Sequence, residues 1–183
     1  GNRTHVDHVI DRLEGQFDHV IMIEKHEIKT SVSIGIVMCD SEDTDADDII
    51  RNADIAMYSA KTKGKARAET YEPALRQQFL ERLNLEIDLR KAIKSNEFVV
   101  HYQPILGLED RALLGFEALV RWQHPKKGML YPKDFIRIAE ETDLIVGIDY
   151  WVLREACRQA VAWNQRFSLS AELSISINIS GRH

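Results

Sequence analysis

The chain has 183 residues, a formal net charge of −5 and 44% hydrophobic residues, a composition typical of a soluble globular protein with one or two domains. Its mild acidity disfavours general nucleic-acid binding, which usually requires a basic face. The sequence contains no uncharged apolar run of about 18 residues and no recognisable signal peptide, so we expect no membrane span in this segment and a cytoplasmic location.

The first part of the chain predicts a helix followed by a β-hairpin. Apolar residues recur at helical spacing within residues 1–18. Residues 20–23 predict a strand, residues 25–26 a turn, and residues 30–38 the partner strand of the hairpin. One face of that second strand carries the small residues Ser31, Ser33 and Gly35, which invite the close approach of a helix.

A second helix is predicted over residues 44–63. Thr44 or Asp45 can cap its N-terminus, and acidic residues follow in the first turn, where the helix dipole favours negative charge. Lysines cluster at the other end, before and after Gly64, which is a typical stop signal.

A third helix is predicted over residues 73–95, and its apolar surface is wider than one packing contact requires. Two interpretations remain open. In the first, the helix connects two domains, its first half lying between them and its second half packing on the following domain. In the second, it belongs wholly to one core.

The last part of the chain predicts two adjacent strands, residues 97–106 and 111–121, joined by a short turn. Helices are predicted over residues 132–142 and 148–166, and a final strand over residues 173–180. Strands and helices in this order suit a βα barrel.

Strand parity sorts the side chains of residues 111–121. Glu117, Leu119 and Arg121 share one face of the predicted strand, because side chains alternate between faces. A carboxylate and a guanidinium on an otherwise apolar strand are costly to bury unless they meet a cation and an anion. The pattern therefore predicts a site for a metal ion and a phosphate.

The side chains of the final strand also divide between an apolar face and a polar face. Its isoleucines fall on one face, and Ser174, Ser176, Asn178 and Ser180 fall on the other. Barrel interiors are normally filled with branched apolar side chains, so a polar interior face near a strand end indicates a site. The alternative is an open sheet whose polar face lies in water.

Two motif sets resemble known families. The run EAL at residues 117–119 with Arg121-Trp122, preceded by YQP at residues 102–104, resembles the start of an EAL domain, the cyclic-di-GMP phosphodiesterase family. The run SVSIGI at residues 31–36 and the run ADIAMYSAK at residues 53–61 resemble the C-terminal part of a GGDEF domain, the diguanylate cyclase family. GGDEF followed by EAL is a familiar tandem in bacterial signal transduction.

The tandem resemblance implies a fold class and a domain order. The chain is expected to be α/β: an α+β remnant of a palm-like GGDEF domain followed by the first strands and helices of a TIM-like βα barrel. The implied parts are residues 1–70 from the GGDEF domain, residues 71–95 as a linker helix, and residues 96–183 from the EAL domain.

The EAL resemblance also implies roles for individual residues. Glu117 is implied as a catalytic residue and, with Asn178, as a ligand of Mg²⁺ or Mn²⁺. Arg121 is implied to contact a phosphate of cyclic-di-GMP, with Gln103 and Leu119 lining the nucleotide pocket. Without the motif, a surface salt bridge for Arg121 and a core contact for Leu119 are the simpler interpretations.

In the GGDEF part, Lys61 and Lys65 stand where the family holds basic residues that touch nucleotide phosphates. Lys65 replaces the usual arginine, and Ala66 replaces the asparagine that often follows it. Lysine keeps the charge but lacks the planar fork for bidentate phosphate contact. A solvated helix end explains both lysines equally well.

Parts of both family signatures are missing from the chain. The Gly-Gly-Asp-Glu-Phe run is absent, so we expect no cyclase activity, and the later acidic metal ligands and catalytic lysine of the EAL domain are absent too. We therefore expect an inactive portion of a larger protein that hydrolyses cyclic-di-GMP to a linear dinucleotide. The alternatives are a non-catalytic cyclic-di-GMP receptor with degenerate domains, and a structural role in which the helix of residues 73–95 forms a homodimer.

The two cysteines, Cys39 and Cys157, lie far apart in sequence and beside apolar residues. This predicts reduced thiols buried in the core of a cytoplasmic protein.

Overall fold

The computed structural model describes residues 3–17, 20–39, 45–167 and 173–182. The chain separates into two units, Gly1–Glu81 and Arg82–His183, which are described in turn. Both units contain helices and strands, in agreement with the predicted α/β class.

The first unit contains two small sheets. Helix α1 (Arg3–Phe17) precedes β1 (Val20–Ile23), which pairs antiparallel with β2 (His26–Lys29). Strand β3 (Ser33–Ile36) pairs in parallel with β4 (Arg67–Thr70). The predicted hairpin partner over residues 30–38 is therefore wrong. The chain turns back sooner, through Glu24 at φ 55°, and β3 pairs instead with a distant strand that the sequence did not indicate.

Helix α2 (Ala46–Thr62) packs on β3 as the small residues predict. A Cβ at Gly35 would overlap the carbonyl oxygen of Ala53 on this helix, so the strand and the helix touch through backbone atoms. Asp45 caps the helix, its Oδ1 accepting from Asp47 N at 3.2 Å, while the alternative cap Thr44 lies outside the described residues. Gly64, at φ 122°, follows the end of the helix.

Helix α3 (Pro73–Ala92) contributes apolar residues to both units. Leu75 packs with Ile55 and Ala56 in the first unit. Leu89 and Ala92, near the other end, belong to the core of the second unit. The assignment of residues 71–95 as a linker helix between two domains stays a prediction.

The second unit is built on one sheet. Strand β5 (Phe98–Leu106) pairs antiparallel with β6 (Leu113–His124), which is joined on its other edge by the short β7 (Gly128–Leu130) and, in parallel, by β8 (Ser174–Ile177). Helices α4 (Pro132–Glu141) and α5 (Ile145–Arg166) connect β7 to β8. The sequence predicted all of these elements except β7.

One face of this sheet is covered by helices and forms the core. Phe98 and Trp122 on that face pack with Phe135 of α4 and Ile148 of α5. The ring of Trp163 lies 4.9 Å from that of Tyr102 and 4.7 Å from that of Phe116, between centroids. The even-numbered residues of β6 from Phe116 to Trp122 therefore face the helices, and the odd-numbered residues between them face the other way.

Tyr102, the first residue of the YQP run, lies on the face of the sheet that the helices cover. Its hydroxyl is buried and has no hydrogen-bond partner among the described residues. Burial, and to a lesser degree the Glu155 carboxylate, raise the pKa of the Tyr102 phenol above its ordinary value. This residue supports the sheet, and its neighbour Gln103 carries the polar side chain of the opposite face.

The predicted burial of the cysteines is wrong. Cys39 and Cys157 are unpaired, as expected, but both are exposed. The residue before Cys157 on α5, Ala156, is buried. Successive side chains on a helix point about 100° apart, so Cys157 points away from the core. The apolar neighbours of Cys157 in sequence are therefore not its neighbours in space.

The two longest helices, α3 with 20 residues and α5 with 22, carry charged residues along their lengths. Among the described residues, no helix combines the length and the apolar character that crossing a bilayer requires.

Candidate functional site

The antiparallel pairing of β5 with β6 brings the two motif runs together. Gln103 lies directly opposite Glu117 in the register of the ladder. Opposed residues on neighbouring strands share a face, with Cα atoms about 5 Å apart. The two side chains therefore stand beside each other on the face that the helices do not cover.

Strand β8 adds a third side chain from the other edge of β6. Ser176 is the register partner of Glu117, and the parallel ladder ends at Ile177, one residue before Asn178. The Nδ2 of Asn178 donates a hydrogen bond of 2.8 Å to Glu117 Oε1. A carboxylate from β6 and two carboxamides, one from β5 and one from the residue that follows β8, thus converge on one face of the sheet.

The polar alternation predicted for the last strand stops at Ile177. Ile179 is 57% exposed, so it does not continue the half-buried face formed by Ile175 and Ile177. Ser180 turns toward the helices, where its backbone N donates to Asp149 Oδ2 at 3.0 Å and its Oγ to Glu140 Oε1 at 3.1 Å. Strand parity holds only while the ladder continues.

Arg121 extends along the same face of β6 as Glu117. Its Nη1 donates to the carbonyl oxygen of Val120 at 2.8 Å, and its Cζ lies 5.1 Å from the centroid of the Tyr131 ring. Its Nε is buried without a hydrogen-bond partner within the described part of the chain. No ion pair joins Arg121 to a described carboxylate, so the simpler interpretation of a surface salt bridge finds no support.

Leu119 lies between Glu117 and Arg121 on this face and is half-buried. It lines a cavity of about 280 Å³ where β6 and the end of β8 meet helices α4 and α5. Asn178 and Asp149 line the same cavity. The Leu119 side chain therefore borders the cavity beside the candidate site and is also partly buried in the protein interior.

The donor set fits part of a site for a hard metal ion. The Glu117 carboxylate and the Asn178 carboxamide are oxygen ligands of the kind that Mg²⁺ and Mn²⁺ prefer. Across residues 3–17, 20–39, 45–167 and 173–182, no group of three or more His, Cys, Asp or Glu side chains could hold a metal. Glu117 and Asn178 as metal ligands therefore stay a prediction, and the Asn178 carboxamide would have to turn to present its oxygen, because its nitrogen now faces Glu117.

The two lysines predicted to touch phosphate lie in the first unit. Lys61 is in the last turn of α2, and Lys65 follows Gly64 in the left-handed backbone region at φ 61°. Both are exposed, whereas Lys63 between them pairs with Glu69 at 2.8 Å. Their contact with a nucleotide stays a prediction.

The sequence did not indicate three residues that contact this site. Tyr131 lies against Arg121, and Asp149 and Glu140 hold Ser180. A signal existed for Asp149, because it occurs within the apolar stripe of α5 formed by Ile145, Ile148 and Val152. An acidic residue on such a stripe is buried only with a hydrogen-bond partner.

Two protein-family models match the chain in succession. The model described as diguanylate cyclase, GGDEF domain, matches residues 2–67, and that described as EAL domain matches residues 86–183. The second match includes every residue of the site around Glu117.

Individual proteins show the same relationship. The signaling protein YkoW of Bacillus subtilis is 38% identical over 91% of this chain and 20% of its own length. The cyclic di-GMP phosphodiesterase PdeR of Escherichia coli is 39% identical over 85% of this chain and 23% of its own length. The chain thus spans about a fifth of these relatives.

Among solved structures, the EAL enzyme Bd1971 with cAMP and cyclic-di-GMP bound superposes with a TM-score of 0.51. It is 26% identical, and the match covers 76% of this chain and 36% of that one.

Proposed function

The chain belongs to the tandem GGDEF–EAL family, and on this basis we propose that the protein containing it hydrolyses cyclic-di-GMP to a linear dinucleotide. The observation that carries the proposal is the convergence of Glu117, Asn178 and Gln103 on one open face of the sheet. The similar PdeR is described as a cyclic di-GMP phosphodiesterase, which supports the choice of substrate.

In this proposal Glu117 and Asn178 hold a divalent cation, Mg²⁺ or Mn²⁺, with other ligands coming from outside the described residues. When bound, such an ion neutralises phosphate charge and lowers the pKa of water. Glu117 contributes a charged oxygen, and Asn178 contributes a neutral one. Without the ion, the hydrogen bond from Asn178 Nδ2 to Glu117 Oε1, 2.8 Å long, keeps the two side chains adjacent, and the carboxamide would turn to present its oxygen when the ion binds.

Arg121 has the properties of a phosphate ligand. Its guanidinium is held over the Tyr131 ring, and its buried Nε has no hydrogen-bond partner among the described residues. A ligand phosphate would satisfy this donor through a charge-assisted hydrogen bond. Gln103 and Leu119, on the same face, would then contact the nucleotide with one polar and one apolar side chain.

A product assay on the full-length protein tests the proposal. Cyclic-di-GMP is incubated with the protein in Mg²⁺ or Mn²⁺, with a chelator-treated sample as control, and the products are separated by chromatography. We expect the linear dinucleotide only in the samples that contain metal. Calorimetric binding of cyclic-di-GMP without any product would contradict hydrolysis and favour the receptor alternative.

The 183-residue segment by itself gives a second control for the same assay. We expect no turnover from it, because its described residues supply only two of the ligands that a metal site needs. Hydrolysis by the purified segment would contradict the inference that the site needs metal ligands from outside these residues.

We also infer that this segment resides in the cytoplasm. Cys39 and Cys157 are exposed and unpaired, and exposed thiols persist most readily in a reducing compartment.

A further inference from the structure

Asn178 stands on a segment that the sheet does not hold. The ladder between β8 and β6 ends with Ile177 opposite Ala118. From Asn178 onward the backbone has no strand partner among the described residues. Side-chain contacts from the helices hold the chain just after Asn178, at Ser180.

The first such contact comes from Asp149 in the second turn of α5. Asp149 is only 7% exposed, and its Oδ2 accepts the backbone N–H of Ser180 at 3.0 Å. A charged group is costly to bury, and hydrogen bonding to backbone N–H groups offsets that cost. This carboxylate thus ties helix α5 to a point two residues after Asn178.

The second contact comes from Glu140 near the end of α4. Its Oε1 accepts the hydroxyl hydrogen of Ser180 at 3.1 Å. Ser180 is therefore held through both its backbone and its side chain, by carboxylates from two different helices. A third pair, Arg182 with Asp143 at 3.6 Å, is well exposed and contributes little, as surface ion pairs generally do.

We infer that Asp149, together with Glu140, is a positioning residue for the metal site: by fixing Ser180, it holds the Asn178 carboxamide next to Glu117. The inference rests on the proposed function, since it assigns Asp149 a role toward the ion that Glu117 and Asn178 would bind. Groups that orient metal ligands affect affinity strongly, typically by about 10–100-fold when they are removed.

The test is Mn²⁺ binding to the full-length protein, measured by electron paramagnetic resonance of the free ion. The relevant sites are those that Glu117→Gln removes, which separates them from other Mn²⁺ sites in the protein. We expect Asp149→Ala to weaken binding at these sites by about 10–100-fold. Asp149→Asn should stay within a few-fold of wild type, since its amide oxygen can still accept the Ser180 N–H.

Asp143→Ala is the matched control, because it removes an acidic residue from the same α4–α5 junction without touching Ser180. We expect no change in its Mn²⁺ affinity. Unchanged affinity in folded Asp149→Ala overturns the inference, and so does an equal loss in Asp143→Ala.

Ser180→Ala keeps the test decisive if Asp149→Ala fails to fold. It removes only the hydroxyl bond to Glu140, and we expect Mn²⁺ affinity to fall several-fold; an unchanged affinity overturns the inference. A wild type that binds no Mn²⁺ refutes the proposed function and this inference with it. A wild type that binds and hydrolyses, with variants that bind equally well, refutes the positioning role alone.

Discussion

Replacing Glu117 by glutamine in the full-length protein is expected to lower kcat/KM for cyclic-di-GMP hydrolysis by about a thousandfold or more. Glutamine keeps the volume of the side chain, and its oxygen can still accept the hydrogen bond from Asn178 Nδ2. The substitution removes the negative charge that a divalent cation requires. A thousandfold loss corresponds to about 4 kcal/mol of transition-state stabilisation.

Glu109→Gln is the matched control for this experiment. Glu109 lies in the exposed turn between β5 and β6, so the same chemical change there should alter the initial rate by less than about twofold. Initial rates are compared at saturating Mg²⁺. Retention of wild-type activity by Glu117→Gln would remove Glu117 from the catalytic site.

Replacing Trp122 by alanine is expected to destabilise the second unit by about 3–5 kcal/mol. Trp122 is fully buried, and its ring lies 6.1 Å from that of Phe98 and 5.7 Å from that of Phe135, between centroids. Its Nε1 donates to Glu97 Oε2 at 3.0 Å. The substitution therefore leaves a cavity and takes a hydrogen bond from a carboxylate.

Hydrogen exchange of the full-length protein measures this effect locally, because a multidomain protein does not unfold in one step. Peptides that span residues 98–124 should exchange faster by on the order of a hundredfold or more. Leu153→Ala, at a half-exposed position of α5, is the control and should change exchange little. Exchange within about threefold of wild type in Trp122→Ala would show that the core does not depend on this ring.

The motif residues Arg121 and Trp122 illustrate what the sequence predicts well. They are adjacent in the chain, and the alternation of a strand sends them to opposite faces. Arg121 lies on the open face with Glu117, whereas Trp122 is in the core. Such parity is a local property, so the sequence alone is enough to deduce it.

Non-local pairings were harder to predict. Strand β4 has the sequence RAET, which lacks an apolar alternation, and its parallel partner β3 lies on the far side of α2 in the sequence. The sequence therefore does not indicate this strand, and the prediction that places β3 in the hairpin is wrong. The same limit applies at Ile179 and Ser180, where the pattern of β8 continues in sequence after the ladder has ended.

The candidate site likewise combines local features that the sequence predicts with non-local ones that it does not. Strand parity alone placed Glu117 with Arg121, but only the family resemblance selected Gln103 and Asn178 as their partners. The register of β6 with β5 and β8 then accounts for the convergence of these side chains. Asp149 was missed because its hydrogen bond to Ser180 joins two segments that are distant in sequence.

Crystallographic location of Mn²⁺ would show whether Glu117 and Asn178 hold one ion between them, on which the proposed hydrolysis depends. Crystals of the full-length protein with Mn²⁺ would be measured by anomalous diffraction at the manganese edge. We expect a peak about 2.1 Å from a Glu117 carboxylate oxygen and from Asn178 Oδ1, with the carboxamide turned from its present orientation. Mn²⁺ bound elsewhere, with Asn178 Nδ2 still donating to Glu117, would contradict a shared ion.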